Sequence, residues 1–208
     1  MIKCLRRDIV SFMQIFKKEP ESYDYGHYWK VRYKETRSNR EKFNFKTIIY
    51  CRSKSFALNI LKKSDIISAT KNAYEYLEFR SSKQISFKFI SNEKELFCNL
   101  NEELYEWVIE NLIKNAIDAM LGKGKLTLSI TSENNKVILN ISDTGKGMSK
   151  SQFRKIFDPG FTTKKRGWGL GLSLSQRIIE DYHTGKIIVK SSEVNKGTTF
   201  QIILDKVT

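Results

Sequence analysis

The sequence predicts an α+β fold. A long amphipathic helix over residues 102–121 runs into alternating strand-like stretches at 125–132 and 136–142, and two more strands follow at 186–191 and 199–204. The 208 residues can bury one substantial core plus a smaller appendage, because domains commonly run about 100–200 residues. Two parts are expected: a basic extension, residues 1–60, and a folded domain, residues 61–208.

Composition narrows the class. With 40% hydrophobic and 29% charged residues, the chain has the balance of a globular protein, which argues against wholesale disorder. No apolar run approaches the roughly 20 residues of a membrane span, and the opening Met1 to Arg7 lacks the apolar stretch of a signal peptide. A cytoplasmic location is therefore expected. Cys4, Cys51 and Cys98 are few, odd in number and far apart, so they suggest neither a disulfide framework nor a metal cluster. The net charge of +14 suits an anionic partner without choosing among nucleic acid, acidic protein and nucleotide.

Residues 1–60 hold fourteen basic against six acidic side chains, and Tyr28–Lys34 with Lys42–Cys51 read as two strands around a turn at Thr36–Arg40. A helix over Ile66–Arg80 follows from the spacing of Ile66, Ile67, Ala69, Ala73, Tyr74 and Leu77, and Gln84–Ile90 reads as a strand. In the helix over 102–121, Asn101 is placed to cap the first turn. Val108, Ile109, Leu112, Ile113, Ala116, Ile117, Ala119 and Met120 form its apolar half, with Asn111, Asn115 and Asp118 along the edge of the other half. Gly122 and Gly124 stop it. The stretch Asp143–Gly169 is unusually long for a loop, which marks it as functional or mobile. Leu170–Tyr182 reads as a helix ended by Gly185.

Four segments carry chemistry. Asn111 and Asn115 lie one helical turn apart, so their amide oxygens, hard ligands that magnesium accepts, can point together into a cleft. Standing alone, they read more readily as surface or hydrogen-bonded asparagines. Asp143 ends a strand whose residues Val137, Leu139 and Ile141 share its side, so its carboxylate could accept from the exocyclic amino group of a purine, or simply start a turn. Gly167, Gly169 and Gly171 lead into a helix, where open backbone N–H groups can hold phosphates, helped by Lys164, Lys165 and Arg166. Gly197-Thr198-Thr199-Phe200 closes the series.

In order and spacing these segments resemble the Bergerat-fold ATPases, and within them the sensor histidine kinases of two-component systems. Asn111–Met120 looks like the asparagine box, Asp143–Met148 like the first glycine box, Phe157–Lys164 like the phenylalanine box, Gly167–Leu172 like the second glycine box. The likeness covers about residues 66–206. It implies a two-layer α/β sandwich, a mixed and mostly antiparallel sheet covered on one face by helices, with a small N-terminal extension. It further implies ATP and Mg2+ as cofactors, Asn115 binding the metal with Asn111 assisting, Asp118 beside them, and Asp143 selecting adenine. Gly145, Gly147, Met148 and Thr198 would line the base. Phe157, Phe161, Thr162, Thr163 and Lys164 would belong to the lid, and Gly167, Trp168, Gly169, Leu170, Gly171 and Leu172 to the phosphate cradle. Asn111, Asn115 and Lys164 are the expected catalytic residues.

Hydrolysing members of that group are similar in carrying a glutamate four residues before the magnesium-binding asparagine. Here that position is Asn111, an amide with no basic site, and Glu110 is turned about 100° away around the helix. Phosphoryl transfer to histidine is therefore expected over direct hydrolysis. The alternative is a nucleotide-gated interaction module without turnover. Sensor kinases resemble one another in having a phosphoacceptor histidine followed by an acidic residue. His27 and His183 are the two histidines, and neither stands in such a context. The expected partners are a histidine-bearing dimerisation domain, in cis or in trans, and a response regulator. Nucleic acid is not the expected partner.

Overall fold

A computed structural model describes residues 61–164 and 169–207. The hairpin expected within residues 28–51 lies outside them. The elements run β1 (Lys62–Asp65), α1 (Ile66–Arg80), β2 (Ile85–Ser91), β3 (Phe97–Leu100), α2 (Glu102–Ala119), β4 (Gly124–Glu133) and β5 (Lys136–Asp143). There follow α3 (Gln152–Lys155), α4 (Gly171–Arg177) with a π-helical turn over Ile178–Tyr182, β6 (Lys186–Glu193) and β7 (Gly197–Asp205). The α+β class, with its mostly antiparallel five-stranded sheet, is as the sequence implies.

Five strands form the sheet in the order β2-β4-β5-β7-β6, in which β2–β4 is the parallel pair. β1 and β3 form a separate antiparallel ribbon. On β4, β5 and β7 every second side chain is buried, including Leu126, Leu128, Ile130, Val137, Leu139, Ile141, Phe200, Ile202 and Leu204. This period of two lets one face carry the core while Thr127, Ser129, Asn140, Ser142 and Gln201 stay half-exposed on the other.

Helix α1 starts where the Asp65 carboxylate accepts from the N–H groups of Ile67 and Ser68. Asp65 also accepts from Leu96 N–H, so one residue both caps the helix and fastens the chain ahead of β3. Helix α2 is capped by Asn101, which accepts from Leu104 N–H at 3.1 Å. It buries Tyr105, Val108, Ile109, Leu112, Ile113 and Ala116, each large apolar side chain contributing about 1.5–3 kcal/mol on burial. It ends at Ala119 because Leu121 turns left-handed at φ 54°.

The last predicted helix is divided. From Ile178 the spacing widens to five residues, with His183 N–H on the Ile178 carbonyl. His183 itself is 4% exposed and joins two elements. Its Nε2 accepts from Asn101 N–H at 3.1 Å and its Nδ1–H donates to the Ile178 carbonyl at 2.8 Å. Burial holds its pKa below the ordinary histidine value, so the imidazole is neutral.

Candidate functional site

The site has two ends. At the first, β5 delivers Asp143 to the rim of the core, opposite Thr198 in the β5–β7 register. Asp143 is 7% exposed, and its Oδ1 accepts from Gly145 N–H at 2.7 Å. Burial raises its carboxyl above the usual carboxylate range, a shift only partly offset by backbone donation from Gly145 and Thr198.

Backbone contacts fix the surroundings. Lys146 N–H donates to the Ala119 carbonyl at 3.0 Å, and Asn195 N–H donates to the Lys146 carbonyl at 2.8 Å, so this loop is held between α2 and the β6–β7 turn. Gly147 has φ +60°, and a Cβ there would lie 1.9 Å from the Glu193 carbonyl oxygen. A Cβ at Gly197 would come equally close, 1.9 Å, to the Asp143 carbonyl oxygen. Both positions need glycine because two strands' ends touch through them.

A hydroxyl network completes this end. Ser192 Oγ accepts from Met148 N–H at 2.9 Å and donates to the Gly197 carbonyl at 2.9 Å. Its one proton is then committed, so Thr198 Oγ1, 2.9 Å away, must be the donor between them. The lone pairs of Thr198 are left as acceptors beside Asp143. Ser192 was not named from sequence, since a serine inside a strand belongs to no motif.

The second end lies on α2. Asn111 Nδ2 donates to the buried Ser175 Oγ at 2.9 Å, and Gly171 passes so near that a Cβ would sit 2.5 Å from Asn111 Oδ1. Asn115 Oδ1 accepts from Lys164 Nζ at 2.9 Å, and the same ammonium pairs with Asp118 Oδ2 at 2.6 Å. Thr162 Oγ1 accepts from Lys164 N–H, and Lys146 Nζ donates to Thr163 Oγ1 at 3.1 Å. Gly160 N–H bonds to the Gly169 carbonyl at 3.0 Å, bringing the two flanks of the long loop together. Glu110 pairs with Lys114 on its own helix.

The two ends are thus continuous: Asp143 to Gly145, Lys146 against Ala119, Lys146 to Thr163, and Lys164 back to Asn115. Met148, Phe161 and Leu172 are partly buried against the core, and Leu170 immediately precedes α4. Phe157 is buried edge-on to Phe200 at 6.5 Å and borders a separate open groove of about 550 Å³ with Phe153, Gln176, Glu180 and the β6 residues Lys186–Val189. Gly167 and Trp168, with Lys165 and Arg166, lie outside the described residues.

Magnesium fits the chemistry of the second end. Asn115 Oδ1 is a hard oxygen donor that already accepts from a cation, the Lys164 ammonium, whose countercharge is Asp118. Among the described residues no group of three or more His, Cys, Asp or Glu could hold a metal alone, so an ion here would draw its remaining ligands from phosphate and water.

A family described as histidine kinase-, DNA gyrase B- and HSP90-like ATPase matches residues 101–208. Sporulation kinase E of Bacillus subtilis is 36% identical over 125 residues, 60% of this chain and 16% of its own length. Sensor histidine kinase ZraS of Salmonella typhi is 37% identical over 148 residues, 71% of this chain and 31% of its own. The chain therefore spans less than a third of either relative. Among solved structures, the catalytic domain of histidine kinase ThkA is 31% identical with a TM-score of 0.64, covering 70% of this chain and 95% of that one. The same kinase in complex with the response regulator TrrA matches at 28% identity and a TM-score of 0.62, over 71% of this chain and 42% of that one.

Proposed function

We propose, from the premise that this chain belongs to the histidine kinase-, DNA gyrase B- and HSP90-like ATPase family and holds a catalytic domain of the histidine-kinase kind, that it binds magnesium ATP and delivers the γ-phosphate to a histidine of a two-component signalling partner. The observation that supports this reading is the series of hydrogen bonds and chain neighbours that links Asp143 to Asn115, as one site for base recognition and phosphate handling requires.

At the base end, Asp143 accepts from the adenine amino group while Thr198 offers lone pairs beside it, so a base presenting a carbonyl there would be rejected. At the phosphate end, Asn115 holds the metal, Lys164 neutralises phosphate charge, and Asn111 keeps α2 registered on Ser175. The metal supplies charge neutralisation across the phosphates. Asn111 supplies no general base, which leaves positioning and charge as the catalytic devices and favours transfer over hydrolysis.

The acceptor histidine is assigned to a partner domain, in cis or in trans, because His183 has both ring nitrogens engaged and is closed to solvent. His27 lies outside the described residues. A response regulator is the further partner, by analogy with the ThkA–TrrA complex. No helix among the described residues is long and apolar enough to cross a membrane, and a cytoplasmic site of action belongs to the same proposal.

Millimolar magnesium ATP should raise the melting temperature of the whole chain, since ligand at 100 times its Kd adds about 2.7 kcal/mol. An unchanged melting temperature sinks nucleotide binding. With labelled ATP and a helical hairpin bearing histidine followed by an acidic residue, label should move to the hairpin. Binding without any transfer would leave only a nucleotide-gated interaction module.

A further inference from the structure

One cation already sits on the oxygen assigned to the metal. Lys164 Nζ lies 2.9 Å from Asn115 Oδ1 and 2.6 Å from Asp118 Oδ2, on a stretch of chain that a second lysine also fastens, through Lys146 Nζ and Thr163 Oγ1 at 3.1 Å. We propose that Lys164 is a resident placeholder cation: without nucleotide it occupies Asn115 and Asp118 and pins residues 160–164 across α2, and a metal-bound nucleotide has to displace it. The inference rests on the nucleotide reading above.

The reasoning is electrostatic. A divalent ion and an ammonium on one amide oxygen would stand only a few ångströms apart and repel. The phosphates that arrive with the metal offer the ammonium replacement oxygens, so Lys164 can leave α2 without losing its countercharge. The residue thereby couples metal loading to release of the segment it belongs to, and the coupling is reciprocal. The Lys146 contact engages no metal-directed oxygen, so it holds the same segment without competing. The Lys164–Asp118 pair is about half exposed, with side chains 43% and 57% accessible, so salt should loosen it.

Hydrogen exchange at the amides of Phe161–Lys164 in the nucleotide-free whole chain tests this, alongside calorimetric binding of magnesium ADP. Asp118→Asn weakens the hold on Lys164 and should raise exchange about threefold while tightening the magnesium ADP Kd about two- to threefold. Lys146→Met should raise exchange without tightening the Kd. Unchanged exchange in Asp118→Asn overturns the placeholder role. So does a magnesium ADP affinity that stays unchanged or weakens. If wild-type protein binds no ADP at all, the nucleotide reading fails instead, while the exchange comparison still reports on the pinned segment.

Discussion

The two ends of the site are built from different materials. Around Asp143 the work is done by backbone: two carbonyl oxygens approach Gly147 and Gly197 too closely for any side chain, and the acid itself is nearly closed to solvent. Around Asn115 it is done by long, half-exposed side chains, with Lys164 and Asp118 in direct contact at a solvated surface. A rigid desolvated end can discriminate one base from another, because an unmatched polar group there stays unmatched. A solvated charged end can exchange partners as phosphate and metal arrive and leave, because each contact is weak.

The largest effect that sharpens this contrast is Gly147→Ala. The new methyl would meet the Glu193 carbonyl at 1.9 Å from a backbone already at φ +60°, and no flexible side-chain end is there to yield. Stability should fall by about 3 kcal/mol or more, read by chemical denaturation. A loss near zero would mean that the β6–β7 turn yields, and the base end would no longer count as the rigid one.

Next comes Asp143→Asn, which replaces one acceptor oxygen by an amide NH2 that cannot accept from the adenine amino group. Affinity for magnesium ATP should drop roughly 10- to 100-fold, the loss expected for a hydrogen bond to a charged group. The pH dependence has a definite sign. Because burial lifts the native carboxyl above its unfolded value of 3.8, the acid's contribution to stability is full below that pH and is lost as pH rises through the native value. The ionised acid is the stronger acceptor for the adenine amino group, so binding runs the opposite way and strengthens across the same window. Denaturation and isothermal titration at stepped pH should show both trends shrink in Asp143→Asn, and an affinity indifferent to pH in the wild type would remove Asp143 from base recognition.

How far the chain disclosed this in advance depended on the distance over which each feature is encoded. Ile66–Arg80 is found as predicted because its cap, Asp65, and its apolar spacing are both local. β1 and β3 escaped notice: each is four residues, too short for an alternating pattern, and Lys62 finds its partner Leu100 only through the fold. The parallel pairing of β2 with β4 was equally invisible, as was the division of 170–182 into α-helix and π turn, which the buried His183 imposes through Ile178. Within the proposed site, Asn111, Asn115 and Asp143 stand out through motif order. Ser192 did not, because its bond to Met148 spans 44 positions, and neither did the reach of Lys146 to Thr163.

The smallest effect tests whether Asn111 and Asn115, one helical turn apart, fall on opposite sides of the contrast. Asn111→Ala removes the hydrogen-bond partner of Ser175, which is fully buried, and should cost about 1–2 kcal/mol of stability. Asn115→Ala releases only a half-exposed ammonium that keeps Asp118, and should stay within about 0.5 kcal/mol of wild type. Both should weaken magnesium ATP binding. Paired denaturation and binding curves therefore place Asn111 with the structural framework and Asn115 with the exchangeable charges. Equal stability losses would erase that line, because α2 would then be supporting both asparagines in the same way.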